Sequence, residues 1–290
     1  MSEKNKQSGS VLKVLSPPLL YYVITMFVEV VMDLYLYFKQ MGVGRKSGTD
    51  FFSSYKFLDS LQNNLEQYAY LITLFGALIA VVIFGILYIR ESSFADNRIG
   101  RQFKSVNKKN ILVMIGLGFF GGTGLGRFVF LLPIDNIIGS YEVTGSQLLN
   151  GNLFVQILSL AVIVPIAEEL IYRGLVFLRL RKFMDAKKAM VIVSVMFGIF
   201  HLNLLQGVYA FLLSLLLVSV YIRYESIFLC IIIHSVANLA SVLSNYFGIS
   251  KMLNKNYFIY CFIMTAELTA SAVLFLLCRK SGGGEQEQKN

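Results

Sequence analysis

Long apolar runs separated by short polar stretches set the pattern of this chain. A helix that crosses a bilayer needs about 20 predominantly apolar residues. On that measure the sequence predicts about eight spans, at 18–38, 67–89, 110–132, 153–178, 189–203, 205–222, 226–247 and 256–278. Taken as one helix, 189–222 would be about 50 Å long at 1.5 Å per residue, well beyond a hydrocarbon core of about 30 Å. The polar residues and glycine from Asn203 to Gly207 are therefore read as a break between the fifth and sixth spans. The expected fold class is all-α, a polytopic membrane protein of about eight transmembrane helices.

Between and beyond the spans the organisation is simple. A single transmembrane domain covers 18–280, with a cytoplasmic tail at 1–17 and a disordered, dispensable tail at 281–290, where three glycines meet mixed polar residues. Met1 to Ser10 is polar and the first long apolar run begins near Leu19, so no removed signal peptide is expected. The absence of an internal repeat gives an inverted-repeat transporter architecture no support.

Composition strengthens the picture: 56% hydrophobic and 15% charged residues over 290 positions is too apolar for a soluble surface. Charge then orients the chain. With the N-terminus inside, the inner segments carry eighteen basic residues, six of them from Arg90 to Lys109 and five from Arg179 to Lys188, against six outside. By the positive-inside rule both ends lie in the cytoplasm of a multi-pass cell-membrane protein. The net charge of +9 is explained by cationic loops that meet anionic lipids, so nucleic acid is not an expected partner. Cys230, Cys261 and Cys278 all fall in apolar runs, where a thiol behaves as a small hydrophobe and a disulfide framework has no basis.

An ionisable group at the centre of a span costs on the order of 2.5–3.5 kcal/mol on insertion scales, so each is a functional candidate. The densest group lies in the fourth span. Glu169 and Arg173 are four residues apart with the acid first, which places them on one face as a pair that neutralises itself. Glu168, about 100° around the helix, has no partner in its own helix and is the carboxylate left over. Pro165 removes a helical hydrogen bond and frees a carbonyl near Ala161.

The chain holds two histidines, His201 and His234, and both fall in predicted spans. Asn238 follows His234 by four residues and Phe197 precedes His201 by four, so each pair shares a helix face. Counted inward from Arg179, Lys188 and Arg223, the residues Glu168, His201 and His234 lie at depths of about 16, 20 and 16 Å. The expected site therefore sits between helices 4, 5 and 7 near the bilayer midplane.

A carboxylate and an imidazole aimed at one water can deprotonate it for attack on a carbonyl, while a second imidazole and an amide N–H stabilise the oxyanion. That is machinery for amide hydrolysis. Glu168, His201 and His234 also match the ligand set of a catalytic zinc. The metal-free version is favoured, because zinc would need a separate general base and Glu169 is occupied by Arg173; the ligand count alone leaves zinc open.

The three motifs Glu168-Glu169-x-x-x-Arg173, Phe197-x-x-x-His201 and His234-x-x-x-Asn238, in this order on successive apolar elements, resemble those of the CAAX protease and bacteriocin-processing (Abi) family of intramembrane proteases. The resemblance covers about 150–245, the expected protease core, and extends to the type II CAAX prenyl endopeptidases. It implies an eight-helix core in which Glu168 and His201 activate water and His234 and Asn238 hold the oxyanion. Glu169 and Arg173 would be structural or substrate-positioning, and Phe197 belongs with them. It also implies a peptide or membrane-protein substrate, of which lipidated proteins and bacteriocin precursors are the two kinds met in the family. Metal dependence is described both ways for such proteins. Some relatives act as non-catalytic partners that confer bacteriocin immunity or modulate a sensor kinase, which is the alternative function; a transporter or proton relay is a third.

Gly116-x-Gly118-x-x-Gly121 matches a dinucleotide fingerprint but lies inside a span with no preceding strand. Gly118, Gly122 and Gly126, spaced by four, are better read as a close-packing helix face. Glu29 and Asp33 in the first span have no assigned role. For Glu267 in the last span, Arg127 is a candidate partner.

Overall fold

The structure, a computed structural model, describes residues 3–47, 55–93, 100, 102, 103, 105–132 and 152–281. Among these every regular element is helical. The elements are α1 (Glu3–Ser47), α2 (Tyr55–Ser93), α3 (Lys108–Phe130), α4 (Leu153–Leu180), α5 (Ala186–Ile199), α6 (Leu204–Tyr224), α7 (Ile227–Tyr246), the short α8 (Ile249–Leu253) and α9 (Tyr257–Ser281). Seven of them, α1 to α4, α6, α7 and α9, contain stretches long and apolar enough to cross a membrane. Large apolar side chains such as Val23, Phe27, Val82, Phe262 and Leu276 stand exposed on the outside, as a bilayer solvent requires. The chain is a multi-pass membrane protein.

Asparagine and aspartate side chains begin five of these helices. Asn107, Asn152, Asp185, Asn203 and Asn256 each accept backbone N–H from the first turn of α3, α4, α5, α6 and α9, at 2.9 to 3.2 Å. The bond from Lys188 N–H holds the Asp185 carboxyl below its usual range. Glu225, in the left-handed region at φ 49°, ends α6 and lets α7 start two residues later. α6 and α7, with 21 and 20 residues, are about 31 and 30 Å long, matched to a hydrocarbon core.

Three expectations change. The first span is not confined to 18–38; Pro17 and Pro18 lie inside α1, which runs from Glu3 to Ser47. The fifth span, expected at 189–203, ends at Ile199, and its 14 residues make a helix of about 21 Å, shorter than the seven spans. The break expected at Asn203 to Gly207 lies earlier, at 200–203, because Leu202 turns left-handed at φ 55° and Asn203 is already the cap of α6. His201 is therefore in a turn between α5 and α6, not within a helix. Of the tail expected at 281–290, residues 282–290 lie outside the described residues.

α7 is the central helix, and glycines bring its neighbours close. A Cβ on Gly118 would stand 2.5 Å from the carbonyl oxygen of Ile233, and one on Gly122 would stand 2.5 Å from Cβ of Ala237. Ile233 and Ala237 flank His234 and Asn238, so the glycine face of α3 seats the site-bearing helix directly. Gly126 is looser, with Tyr209 at 3.8 Å. In lipid, where apolar burial drives no association, such close van der Waals packing is the main source of helix adhesion. Gly198 and Gly207 do the same for the α5–α6 hairpin, each meeting the other's carbonyl oxygen at under 3 Å from a would-be Cβ.

Arg127 of α3 and Glu267 of α9 form a two-pronged ion pair at 2.8 and 3.4 Å. The hydroxyl of Tyr260 donates to the Arg127 carbonyl at 3.0 Å. This gives Glu267 a partner, the one of its two candidate roles that the sequence named with Arg127. Asp33 keeps one buried carboxylate oxygen without a hydrogen-bond partner among the described residues.

Candidate active site

α4 is wound wide on both sides of its acidic pair. Residues Ile157–Ile163 and Leu170–Phe177 form π-turns that flank Val164–Glu169. In the first of these Val164 N–H donates to the Ser159 carbonyl, five residues back. The same register would send the next N–H to Leu160, but the next residue is Pro165, which has none. The freed carbonyl expected near Ala161 is thus that of the adjacent Leu160, and Nδ2 of Asn238 donates to it at 2.8 Å. Asn238 is tied to α4 through the gap that Pro165 opens.

Glu169 and Arg173 form the expected pair, at 2.9 Å with both side chains fully buried. Arg173 also donates to the hydroxyl of Ser214 at 2.9 Å and lies over the Phe197 ring, 5.1 Å from its centroid. Glu169 does more than neutralise Arg173. The same oxygen, Oε1, accepts from Nδ1 of His234 at 2.8 Å. The other nitrogen of His234, Nε2, faces Oε2 of Glu168 at 3.5 Å. His234 of α7 therefore stands between the two adjacent carboxylates of α4, and the partner that Glu168 lacks in its own helix comes from another.

Phe197, 1% exposed, is the hub of the cluster. Its ring meets Tyr172, His201 and His234 edge to face at centroid distances of 4.7, 4.8 and 5.8 Å. Its carbonyl oxygen lies 2.6 Å from Nδ1 of His201. A carbonyl can only accept, so Nδ1 carries the hydrogen and the neutral ring presents the lone pair of Nε2. The Phe197-x-x-x-His201 spacing thus orients the imidazole by its backbone as well as by its ring.

Glu168 and His201 line one cavity of about 190 Å³ together with Tyr21, Tyr22, Thr25, Tyr172 and Phe200. The three residues from α1 are the part of the site that sequence reading misses. Tyr22 donates its hydroxyl to the carbonyl of Phe200, and the two rings lie 5.6 Å apart, so α1 is latched to the turn that carries His201. Tyr172 stands one helical turn after Glu168, a spacing that could have singled it out; nothing in the sequence ties Tyr21 or Tyr22 to α4.

Of the four expected residues, Glu168 and His201 line the cavity, His234 faces Glu168 from α7, and Asn238, one helical turn further along α7, is bonded to the Leu160 carbonyl two turns before Glu168 on α4. As for zinc, no group of three or more His, Cys, Asp or Glu side chains among the described residues converges in a metal-holding arrangement. Glu168, His201 and His234 do not fit that ion in this geometry, and no step below is routed through it.

Fold and cluster define a polytopic helical membrane protein with a buried carboxylate–imidazole site fed from a small cavity. Residues 150–240, about a third of the chain, match the family described as Rce1-like, Type II CAAX prenyl endopeptidase Rce1-like. All three motifs lie in that stretch, and it is the family they resemble. Neither a curated protein nor a solved structure matches the chain.

Proposed function

We propose that this protein is an intramembrane endopeptidase of the CAAX protease and bacteriocin-processing type, with its protease core at about 150–245 of a single transmembrane domain and both termini in the cytoplasm. The observation that carries the reading is the shared cavity of Glu168 and His201, with a lone pair of His201 presented at Nε2. A water in that cavity has two groups able to take its proton. Its oxygen adds to the carbonyl carbon of the peptide bond, and the carbonyl π pair moves onto oxygen. Collapse of the tetrahedral intermediate restores C=O and breaks C–N, while the proton held by Glu168 and His201 passes to the departing nitrogen.

His234 and Asn238 are assigned to the developing oxyanion, His234 from the nitrogen that faces Glu168 and Asn238 from the amide hydrogen it does not give to Leu160. Glu169 and Arg173 position His234 and carry the charge balance of the buried cluster. Glu169 supplies the counter-charge to the buried Arg173, since an unpaired buried charge is costly in this setting. The substrate is a peptide or a membrane protein.

The test compares new N-termini in the membrane proteome of a null strain carrying either wild type or Glu168→Gln at equal expression. Cleavage products present only with wild type support the reading and name the substrate. Identical profiles, with the variant restoring whatever phenotype the null strain lacks, replace it with a membrane partner that acts by binding.

A further inference from the structure

Four of the seven residues that line the cavity of Glu168 and His201 carry a hydroxyl. Besides those two residues and Phe200 its walls are Tyr21, Tyr22, Thr25 and Tyr172. Two of these hydroxyls are committed elsewhere, that of Tyr22 to the Phe200 carbonyl and that of Thr25 to the Tyr22 carbonyl at 2.9 Å. The hydroxyls of Tyr21 and Tyr172 have no hydrogen-bond partner among the described residues. Both lie within electrostatic reach of Glu168 and of Tyr22, and Tyr172 also of Tyr21. Tyr172 is 4% exposed and its ring packs edge to face on Phe197, so the position of its hydroxyl oxygen is held while the O–H can turn to meet an acceptor.

An uncommitted hydroxyl in a water-poor site is an expensive feature unless something comes to meet it. Neither His234 nor Asn238 is part of the cavity wall. A peptide carbonyl brought into that cavity therefore has phenolic residues of its wall beside it, in addition to the donors assigned to His234 and Asn238.

Building on the hydrolytic reading above, we infer that Tyr172 and Tyr21 are catalytic residues of the same reaction, whose O–H groups donate to the carbonyl oxygen as it becomes the oxyanion. They transfer no proton. The π pair that moves to oxygen when water adds is held by these two hydrogen bonds together with those assigned to His234 and Asn238, and all of them weaken again when C=O re-forms. Tyr172 comes from α4 and Tyr21 from α1, so the donor pair is complete only while α1 is latched to the 200–203 turn. The first helix, outside the matched stretch of 150–240, is in this account a working part of the active site.

Removing one oxyanion donor costs on the order of 100-fold or more in rate. The experiment follows the rate at which Glu168-dependent N-termini appear after induction of the full-length protein in the null strain. Tyr172→Phe, Tyr21→Phe and Glu168→Gln are compared at matched membrane levels, with Tyr35→Phe on the exposed side of α1 as control. Tyr172→Phe is expected to slow product formation roughly 100-fold. Tyr21→Phe is expected to slow it at least tenfold, and Tyr35→Phe to match wild type. Each phenylalanine variant should still retain the uncleaved substrate on affinity capture, since the loss is in the chemical step and not in binding. Tyrosine variants at wild-type rate beside a silent Glu168→Gln would overturn the tyrosine assignment and leave the hydrolytic reading intact. No dependence on Glu168 at all would overturn both.

Discussion

Asn238 gives an amide N–H to the carbonyl of Leu160, the carbonyl that Pro165 leaves without a helical donor in a π-turn. A side chain from α7 thus replaces a backbone hydrogen bond missing from α4. An unsatisfied buried carbonyl costs about 1–3 kcal/mol. Asn238→Ala is expected to lose stability of that order in detergent unfolding. Pro165→Ala returns a backbone N–H at the missing place, so the double variant should be more stable than the sum of the two single effects. Strict additivity in that cycle would show that the two residues do not share the Leu160 carbonyl.

Arg173 reaches Glu169, Ser214 and the face of Phe197 at once, which only a planar guanidinium can do. Arg173→Ala leaves Glu169 buried without a cation and is expected to cost about 3–5 kcal/mol, enough to remove most folded protein from the membrane. Arg173→Lys should fail nearly as badly despite its retained charge. Wild-type levels and unfolding for the lysine variant would contradict the assigned geometry.

The adjacent glutamates should separate cleanly when each is made neutral. The Glu168 side chain is 13% exposed and its partner His234 is at 3.5 Å, whereas that of Glu169 is 0% exposed with bonds to two partners. Glu168→Gln is expected to fold within about 0.5 kcal/mol of wild type while abolishing cleavage. Glu169→Gln should cost several times more, because it leaves Arg173 unbalanced and loosens His234. Thermal unfolding of both variants beside their cleavage profiles makes the comparison, and equal stability of the two would count against the different burial of the pair.

On α3 the glycine spacing gives a graded series. Gly122→Ala puts a methyl group 2.5 Å from Ala237 and must move α7, with an expected loss of about 1–3 kcal/mol and reduced cleavage. Gly126→Ala meets only Tyr209 at ordinary contact distance and is expected to be neutral or stabilising. A thermal-shift series on the purified protein decides; similar behaviour of the two would mean that close approach is not what Gly122 serves.

Much of the site was legible because helical periodicity is local. The spacing of Glu169 to Arg173 and of His234 to Asn238 fixes shared faces from the chain alone, and that of Phe197 to His201 persists as a ring contact although His201 lies in the turn. What the chain could not show is direction between helices. That one oxygen of Glu169 serves both Arg173 and His234 depends on how α4 and α7 are rotated against each other. The hydroxyls of Tyr21 and Tyr22 enter from a helix more than a hundred residues away, with nothing but an aromatic pair to mark it. The turn at His201 was misplaced because nothing in the side chain of Leu202, a leucine between His201 and Asn203, marks its left-handed φ of 55°.

The ion pair of Arg127 and Glu267 bears on how the protein is made. The partners are 140 residues apart, one in the third helix and the other in the last. As helices leave the ribosome in order, Arg127 reaches the membrane long before the carboxylate that neutralises it. Until α9 arrives, α3 carries an uncompensated cation that favours the translocon or the lipid headgroups over the bundle interior. The contact that neutralises Arg127 can therefore form only once the final helix has been made.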